Sequence, residues 1–366
     1  MSLFNIALNK KVLFLVLIFL SFFTAQTVKG QTSLSDVGFS GVFFFSFENT
    51  TFENETQNEF ALKRGYITFR RNLTDDIQVR FTQDVSIDRQ GDGEGDIELR
   101  LKYALVNYSM GDAGIFKNSN IEFGVVNRPW INFEQDVNDF RSQRSMFLDQ
   151  NGFLSSADYG ITFETGFGSN LEGESSSGLK SNPARYGSFS VGIYNGGGYS
   201  SLEKNNNKLL ESRLSLRPLA DLLPGFQASV FGVLGKGNIP ESPDFNLLGN
   251  ALSYEAQKFN MVVQGFLGEG DGSGQFVENL EAYNLEGWSM FFDIRPFKFP
   301  LSLNIRHDEL YNADLNHFIN RQSILGLAYI FENKSKLIVD VSSTDFHENM
   351  NEPDFYQIEF ITEIRF

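Results

Sequence analysis

The chain has 366 residues, no cysteine, and 30 basic against 46 acidic residues, for a net charge of −16. That balance leaves no basic footprint for nucleic acid, and the missing cysteines rule out a disulfide framework. With 39 Phe, 12 Tyr and 33 Gly but only 9 Pro, the composition favours sheet over helical bundle or disorder.

At the start, Lys10 and Lys11 precede an apolar run over 12–23, and Val28, Lys29 and Gly30 come where a signal peptidase would cut. A charged segment, a short apolar run and modest residues at the cut predict a cleaved secretory signal peptide over 1–30, with a mature start near Gln31. The run is shorter than the roughly 20 residues a spanning helix needs. No long apolar helix candidate occurs after it.

The rest of the chain alternates. In GFSGVFFFSFE (38–48), Phe39, Phe43, Phe45 and Phe47 share one face, and Ser40, Ser46 and Glu48 the other. In IQVRFTQDVSID (77–88), Ile77, Val79, Phe81, Val85 and Ile87 oppose Gln78, Arg80, Thr82, Asp84, Ser86 and Asp88. In IELRLKYALVNY (97–108), Ile97, Leu99, Leu101, Tyr103 and Leu105 oppose Glu98, Arg100 and Lys102. Further runs are read over 59–71, 121–130, 157–168, 186–195, 208–218, 226–234, 245–256, 259–268, 281–295, 301–309, 320–331 and 336–343. The run 354–366 closes the chain, with Tyr356, Ile358, Phe360, Ile364 and Phe366 on one face. A period of two over about sixteen segments predicts an all-β protein.

Long polar connections are expected at 49–58, 89–95, 131–156, 196–207, 236–244, 270–280, 311–319 and 344–353. Short ones are expected at 72–76, 219–225, 296–300 and 332–335. The stretches 110–120 and 169–185 break this rhythm. Short periplasmic turns and long extracellular loops are the habit of outer-membrane barrels. The apolar face is aromatic-rich on nearly every strand, more than one sandwich core would hold, and the polar face carries mid-strand cations. These features predict a closed antiparallel transmembrane β-barrel over 31–366, because a sheet spans a bilayer only when closure pairs every backbone group. The last strand must then pair with the first.

The terminal YQIEFITEIRF (356–366) resembles the assembly signal of bacterial outer-membrane barrels. LKRGYITFRRNLTDDIQVRFTQDVSID (62–88), IEFGVVNRPW (121–130) and YNGGGYSSLEKNNNKLLESRLSLRPL (194–219) resemble segments of the phosphate-selective porin O/P-like family. The likeness runs, with gaps, from Phe60 to Phe366. It implies a passive outer-membrane porin for small polar or anionic solutes, phosphate among them, with cations at the constriction and a homotrimer as the assembly. Its partners would be outer-membrane lipid and the solutes, with no cofactor.

With the apolar faces outward, Arg64, Arg70, Arg80, Arg100, Lys102 and Arg128 fall on the lumen side of neighbouring strands, and Arg213, Arg217 and Arg306 add to them farther round. The third long loop, 131–156, is the candidate constriction loop. Its Glu134, Asp136, Asp139 and Asp149 would face the basic wall, alongside Arg141 and Arg144, and set a transverse field. Inward acids are also many, among them Asp84, Glu98, Glu122, Glu211, Asp293, Asp340 and Glu359, which departs from an anion-selective pattern. The acidic stretch 92–96 lacks the spacing of a calcium loop. His307, His317 and His347 show no ligand spacing, so no metal site is expected. No nucleophile sits near a base in sequence, so no enzyme is expected. A non-conducting structural or accessory barrel stays open as the alternative, and an outer-membrane hydrolase is the remote third.

Overall fold

The computed structural model describes residues 36–366 apart from 54, 90–92, 172–177, 297–298 and 351. The expected signal peptide and Asp92 of the acidic stretch lie outside the described residues. The first strands are β1 (Gly38–Phe52), β2 (Glu55–Asn72), β3 (Ile77–Ile87), β4 (Ile97–Ala113), β5 (Phe116–Asn127) and β6 (Ala157–Phe167). Next come β7 (Gly187–Tyr194), β8 (Leu209–Leu216), β9 (Phe226–Lys236), β10 (Asp244–Ala256), β11 (Phe259–Glu269) and the short β12 (Val277–Glu278) and β13 (Glu281–Ala282). The chain ends with β14 (Asn284–Ile294), β15 (Leu301–Asn312), β16 (His317–Ile330), β17 (Lys336–Phe346) and β18 (Phe355–Arg365).

Sixteen of these strands close into one antiparallel barrel, in which β11 pairs with β14 and β18 with β1; β12 and β13 form a separate two-stranded ladder. The seam runs from Val42 opposite Arg365 to Phe52 opposite Phe355. Beyond it, Gly41 N–H donates to the Phe366 carbonyl at 2.9 Å, and Phe366 N–H to the Gly41 carbonyl at 3.1 Å. A Cβ at position 41 would come within 2.4 Å of the Phe366 ring, so a larger residue there would push the last aromatic aside.

Alternation places Phe39, Phe69, Phe81, Leu248, Leu327, Phe360 and Ile364 on the outside, all substantially exposed. Their lumen-side neighbours, such as Thr68, Thr82, Asn304 and Glu359, are buried. Such a wall, apolar outside and closed on itself, is a multi-pass β-barrel of the bacterial outer membrane.

Two bulges shift the face assignment. The β1–β2 register skips Lys63, so Lys63 and Arg64 both reach the inside. The β3–β4 register skips Lys102, setting Tyr103 opposite Thr82 and Leu105 opposite Arg80. Tyr103 and Leu105 therefore turn into the lumen and are buried, against the expected outward face. One extra residue in a strand reverses every side chain beyond it, and nothing in an alternating pattern marks where it sits.

The connections also depart from expectation. The region 49–58 is no loop: β1 and β2 run through it and pair until Phe52 meets Glu55. Its Thr, Asn and Gln residues give no apolar alternation to read, yet they pair as well as any others. The β15–β16 link narrows to 313–316, and β4 and β5 reach to either side of 114–115. That tight turn uses positive φ at Gly111, Gly114 and Asn118. The link 168–186 is long although it lies at the end carrying the termini, so length does not separate the two rims.

Candidate functional site: the lumen and its third loop

The connection between β5 and β6 enters the barrel. Pro129 opens a helix, Pro129–Val137, with a fixed φ suited to a first helical turn. The helix buries Trp130, Ile131, Phe133 and Val137; a single turn, Phe147–Gln150, buries Phe147 and Leu148. These side chains meet an apolar patch on the inner wall: Phe231, Val233, Phe245, Leu247, Val262, Phe266, Leu285 and Phe291, from β9, β10, β11 and β14. One half of the lumen is thus a dry core. The Trp130 ring stacks on Phe231 at 4.0 Å, with 10° between planes. Such a pair adds roughly 0.5–1.5 kcal/mol beyond the area it buries. Trp130 Nε1 donates to Gln264 at 2.9 Å, and Gln264 Nε2 donates to Glu134 at 2.6 Å.

Charged side chains fasten the rest of the loop. Arg128, at the base, donates to Glu211 at 2.7 Å, and Arg213 donates to the Pro129 carbonyl at 3.1 Å. Farther along, Arg306 donates to the Ser145 carbonyl at 2.6 Å and pairs with Asp308 at 2.7 Å. Ser142 reaches Glu363, Gln143 reaches Asp340, and Arg144 reaches Glu359. Lys336 donates to the Asp139 carbonyl at 2.7 Å. The loop therefore touches the wall from β8 round to β18.

The cations expected on the lumen wall divide by this arrangement. Arg128, Arg213 and Arg306 are buried and spent on holding the loop. Arg217 ties two turns, donating to the Ala184 and Pro224 carbonyls. Arg100 sits near one rim, paired with Glu98. Arg64, Arg70, Arg80 and Lys102 line open cavities, joined by Lys63 and by Arg141 and Arg144 of the loop.

Those cavities form a series along β1–β4, the side the loop leaves open. The first, about 640 Å³, is lined by Glu48, Glu59, Arg89, Lys63 and Arg144. The second, about 240 Å³, shares Lys63 and Arg144 with it and adds Arg64, Arg141 and Asp149. A third, about 350 Å³, shares Tyr66 and Arg141 with the second and reaches Arg365 and Phe366 at the other rim. The Arg141 guanidinium lies 4.9 Å from the centre of the Tyr66 ring, and this pair parts the second chamber from the third. From first to third, the lining cations rise from three to five while the acidic side chains fall from two to none.

The expected transverse field, acids on the loop against bases on the wall, does not describe this geometry. Of the four loop carboxylates, only Asp149 lines the series. Glu134 is buried against Gln264, and burial pushes its pKa up to about 7 despite Arg306. Asp136 is raised well above the usual range, by burial first and then by Glu255 and Glu164. Burial alone would raise Asp139 too, but Lys336, Lys180 and Arg365 outweigh it and hold it low. The loop's apolar residues and its Glu134, Asp136 and Asp139 face its anchors, while Asp149, Arg141 and Arg144 line the passage.

Sequence reading missed Lys63, Tyr66, Tyr103 and Tyr199 as lumen residues. Tyr199 OH donates to Asp84 at 2.8 Å and accepts from Arg64 at 2.8 Å. The one available signal was the pair Lys63–Arg64, two adjacent cations where alternation allows one inward.

No protein-family model and no curated protein matches the chain. Solved structures do. An anion-selective porin from Comamonas acidovorans superposes with a TM-score of 0.63 at 9% identity, covering 90% of this chain and 99% of that one. OmpF of Salmonella typhi, in complex with daunomycin, gives 0.61 at 13% identity, covering 90% and 97%. OmpT of Vibrio cholerae in its trimer form, an outer-membrane protein, gives 0.56 at 8% identity, covering 90% and 99%. At these identities the likeness shows the fold: a porin-type barrel over nine-tenths of the chain.

Proposed function

We propose that the protein is a passive diffusion channel of the bacterial outer membrane that favours small anionic solutes over cations. One observation carries the reading: three linked cavities run along β1–β4, and their excess of cations over carboxylates grows from one rim to the other. A narrow, low-dielectric passage lined by one sign of charge concentrates the opposite ion. Phosphate belongs to this class, and its inclusion rests on the resemblance of 62–88, 121–130 and 194–219 to phosphate-selective porins. The loop 131–156 acts as the constriction, through Arg141 and Arg144. Residues 1–30 serve as the export signal. A homotrimer is the assembly we propose, in keeping with the trimer form of one structural neighbour.

Reversal potentials across a planar bilayer with a KCl gradient test this. The channel reading expects open-channel conductance with chloride more permeant than potassium. A cation-preferring current contradicts the anion preference, and a silent barrel favours the non-conducting alternative.

A further inference from the structure

The third chamber differs from the other two in how its cations are spent. In the first and second, Arg89 pairs with Glu59, Lys63 and Arg144 with Glu359, and Arg64 with Asp84. In the third, only Arg365 has carboxylate partners, Asp139 and Glu363. Among the described residues, Arg70, Arg80, Lys102 and Arg141 form no ion pair, and no acidic side chain lines this chamber.

Lys102 is the sharpest case. Its side chain is 2% exposed, and its ammonium makes no hydrogen bond. Its near neighbours are rings: the centre of Tyr66 lies at 4.3 Å and that of Tyr103 at 5.6 Å. Asp84 and Asp149 act on it only from beyond hydrogen-bond reach, and a buried ammonium with no hydrogen bond is costly. Arg80 stands over the other ring partner, Tyr103, at 3.9 Å, and faces Arg70 directly across the β2–β3 ladder. Like charges in cross-strand register repel. Four cations without an ion pair converge on this cavity, and the carboxylates that act on them from farther off, Asp84, Asp149 and Glu122, are not in its lining; such a chamber calls for an anion.

The remaining lining says what kind. The Gln135 side-chain nitrogen is buried and makes no hydrogen bond, and it comes from the loop helix on the far side of the chamber. Asn132 stands one helical turn before it. On the wall, Thr68 and Thr82 share a hydrogen bond of 2.9 Å, and Thr82 also accepts from Arg80 at 3.3 Å, which leaves the Thr68 hydroxyl with further capacity. An inorganic oxyanion accepts from the hydroxyls and amide nitrogens but offers few donors to the Asn132 and Gln135 amide oxygens, whereas a hydroxylated solute does both. The volume, about 350 Å³, is at the small end of ligand pockets, which run roughly 300–1,000 Å³.

Resting on the channel reading, we infer that the third chamber is a binding site for a small hydroxylated organic anion of the sugar-acid class. Its carboxylate sits among Lys102, Arg141 and Arg80, and its hydroxyls meet Thr68, Thr82, Asn132 and Gln135. The site makes the passage saturable for such solutes while leaving it open to chloride.

The test is block of the chloride current through the full-length protein in a planar bilayer at low salt, titrated with gluconate, inorganic phosphate and glucose. The expected result is block by gluconate at a concentration about tenfold or more below that needed for phosphate or glucose, the margin a few charge-assisted and neutral hydrogen bonds supply. Lys102→Met is expected to weaken gluconate block by roughly tenfold or more. Gln135→Leu is expected to weaken it about fivefold and to weaken phosphate block less. Should Lys102→Met fail to assemble, Gln135→Leu decides alone. A conducting channel on which gluconate blocks no better than phosphate, or equally well with Gln135→Leu, overturns the site and leaves the channel reading standing. A barrel that carries no current overturns the channel reading itself.

Discussion

The two halves of the lumen are built from the same alternating strands and serve opposite ends. On β9, β10, β11 and β14 the inward residues include Phe231, Leu247, Val262, Phe266 and Phe291, and they bury Trp130, Phe133 and Phe147 of the inserted loop. On β1–β4 the inward residues include Arg64, Tyr66, Arg80 and Lys102, and they border open chambers. A loop crossing a barrel needs somewhere to bind, and an apolar inner wall offers it the free energy of a protein core. That anchorage in turn lets Arg141 and Arg144 stand fixed across from the basic wall. The difference teaches that the inner surface of a barrel carries two functions, and that a lumen-facing arginine belongs to the passage only where the loop is not already using it.

The largest expected effect comes from breaking the packed half. Trp130→Ala removes the Phe231 stack and the indole bond to Gln264, a loss of about 3–5 kcal/mol from the loop's anchorage. The loop should then leave the wall, and single-channel conductance should rise severalfold. Unchanged conductance would show that Trp130 does not hold the loop.

Glu134→Gln sharpens the same half. The Glu134 carboxyl ionises near 4.5 in an unfolded chain and is raised to about 7 in the barrel by burial. Between those values unfolding releases a proton, so the group's contribution to stability falls as pH rises through 4.5 to 7 and stays low above 7. At about 1.36 kcal/mol per unit, the cost at pH 8 reaches up to ~3 kcal/mol. Glu134→Gln should raise the thermal midpoint of the folded barrel at pH 8, measured by heat-induced gel mobility, and flatten its dependence over that window.

Gly249→Ala is expected to act more gently. A Cβ there would come within 2.1 Å of the Phe231 ring and press it toward Trp130, costing about 1–3 kcal/mol. The same midpoint should fall without loss of closure. In the open half, Arg80→Ala should shift the reversal potential toward cations by a roughly twofold change in permeability ratio, because among the described residues Arg80 forms no ion pair and Glu122 acts on it only from farther off. Arg100→Ala should change it less, since Glu98 already neutralises that guanidinium. Equal shifts would mean that pairing does not decide which cations solutes feel.

The barrel itself was legible in the sequence, because an alternating outer face is required on every strand and 354–366 states it with Thr362 as the one polar residue on that face. The division of the lumen was not. In FNMVVQGFLG (259–268) the inner face mixes Val262 and Phe266 with Asn260 and Gln264, and nothing local says that its apolar members meet an inserted loop. The bulge at Lys63 left only the adjacent pair Lys63–Arg64 as a sign, and the bulge at Lys102 left none, so Tyr103 and Leu105 were placed on the wrong face. The loop carried one usable hint: Trp130, Ile131, Phe133, Met146, Phe147, Leu148, Phe153 and Leu154 are too apolar for a segment bathed in water.

The absence of cysteine makes the central claim directly testable. Cysteines placed singly at Ser40, half-buried on the wall of the third chamber, and at Val262, on the packed wall, can be probed with a charged thiol reagent while current is recorded. The two-halves account predicts rapid modification and a drop in current for Ser40→Cys, with Val262→Cys untouched. Modification of Val262→Cys at the same rate, with a comparable drop in current, would contradict it.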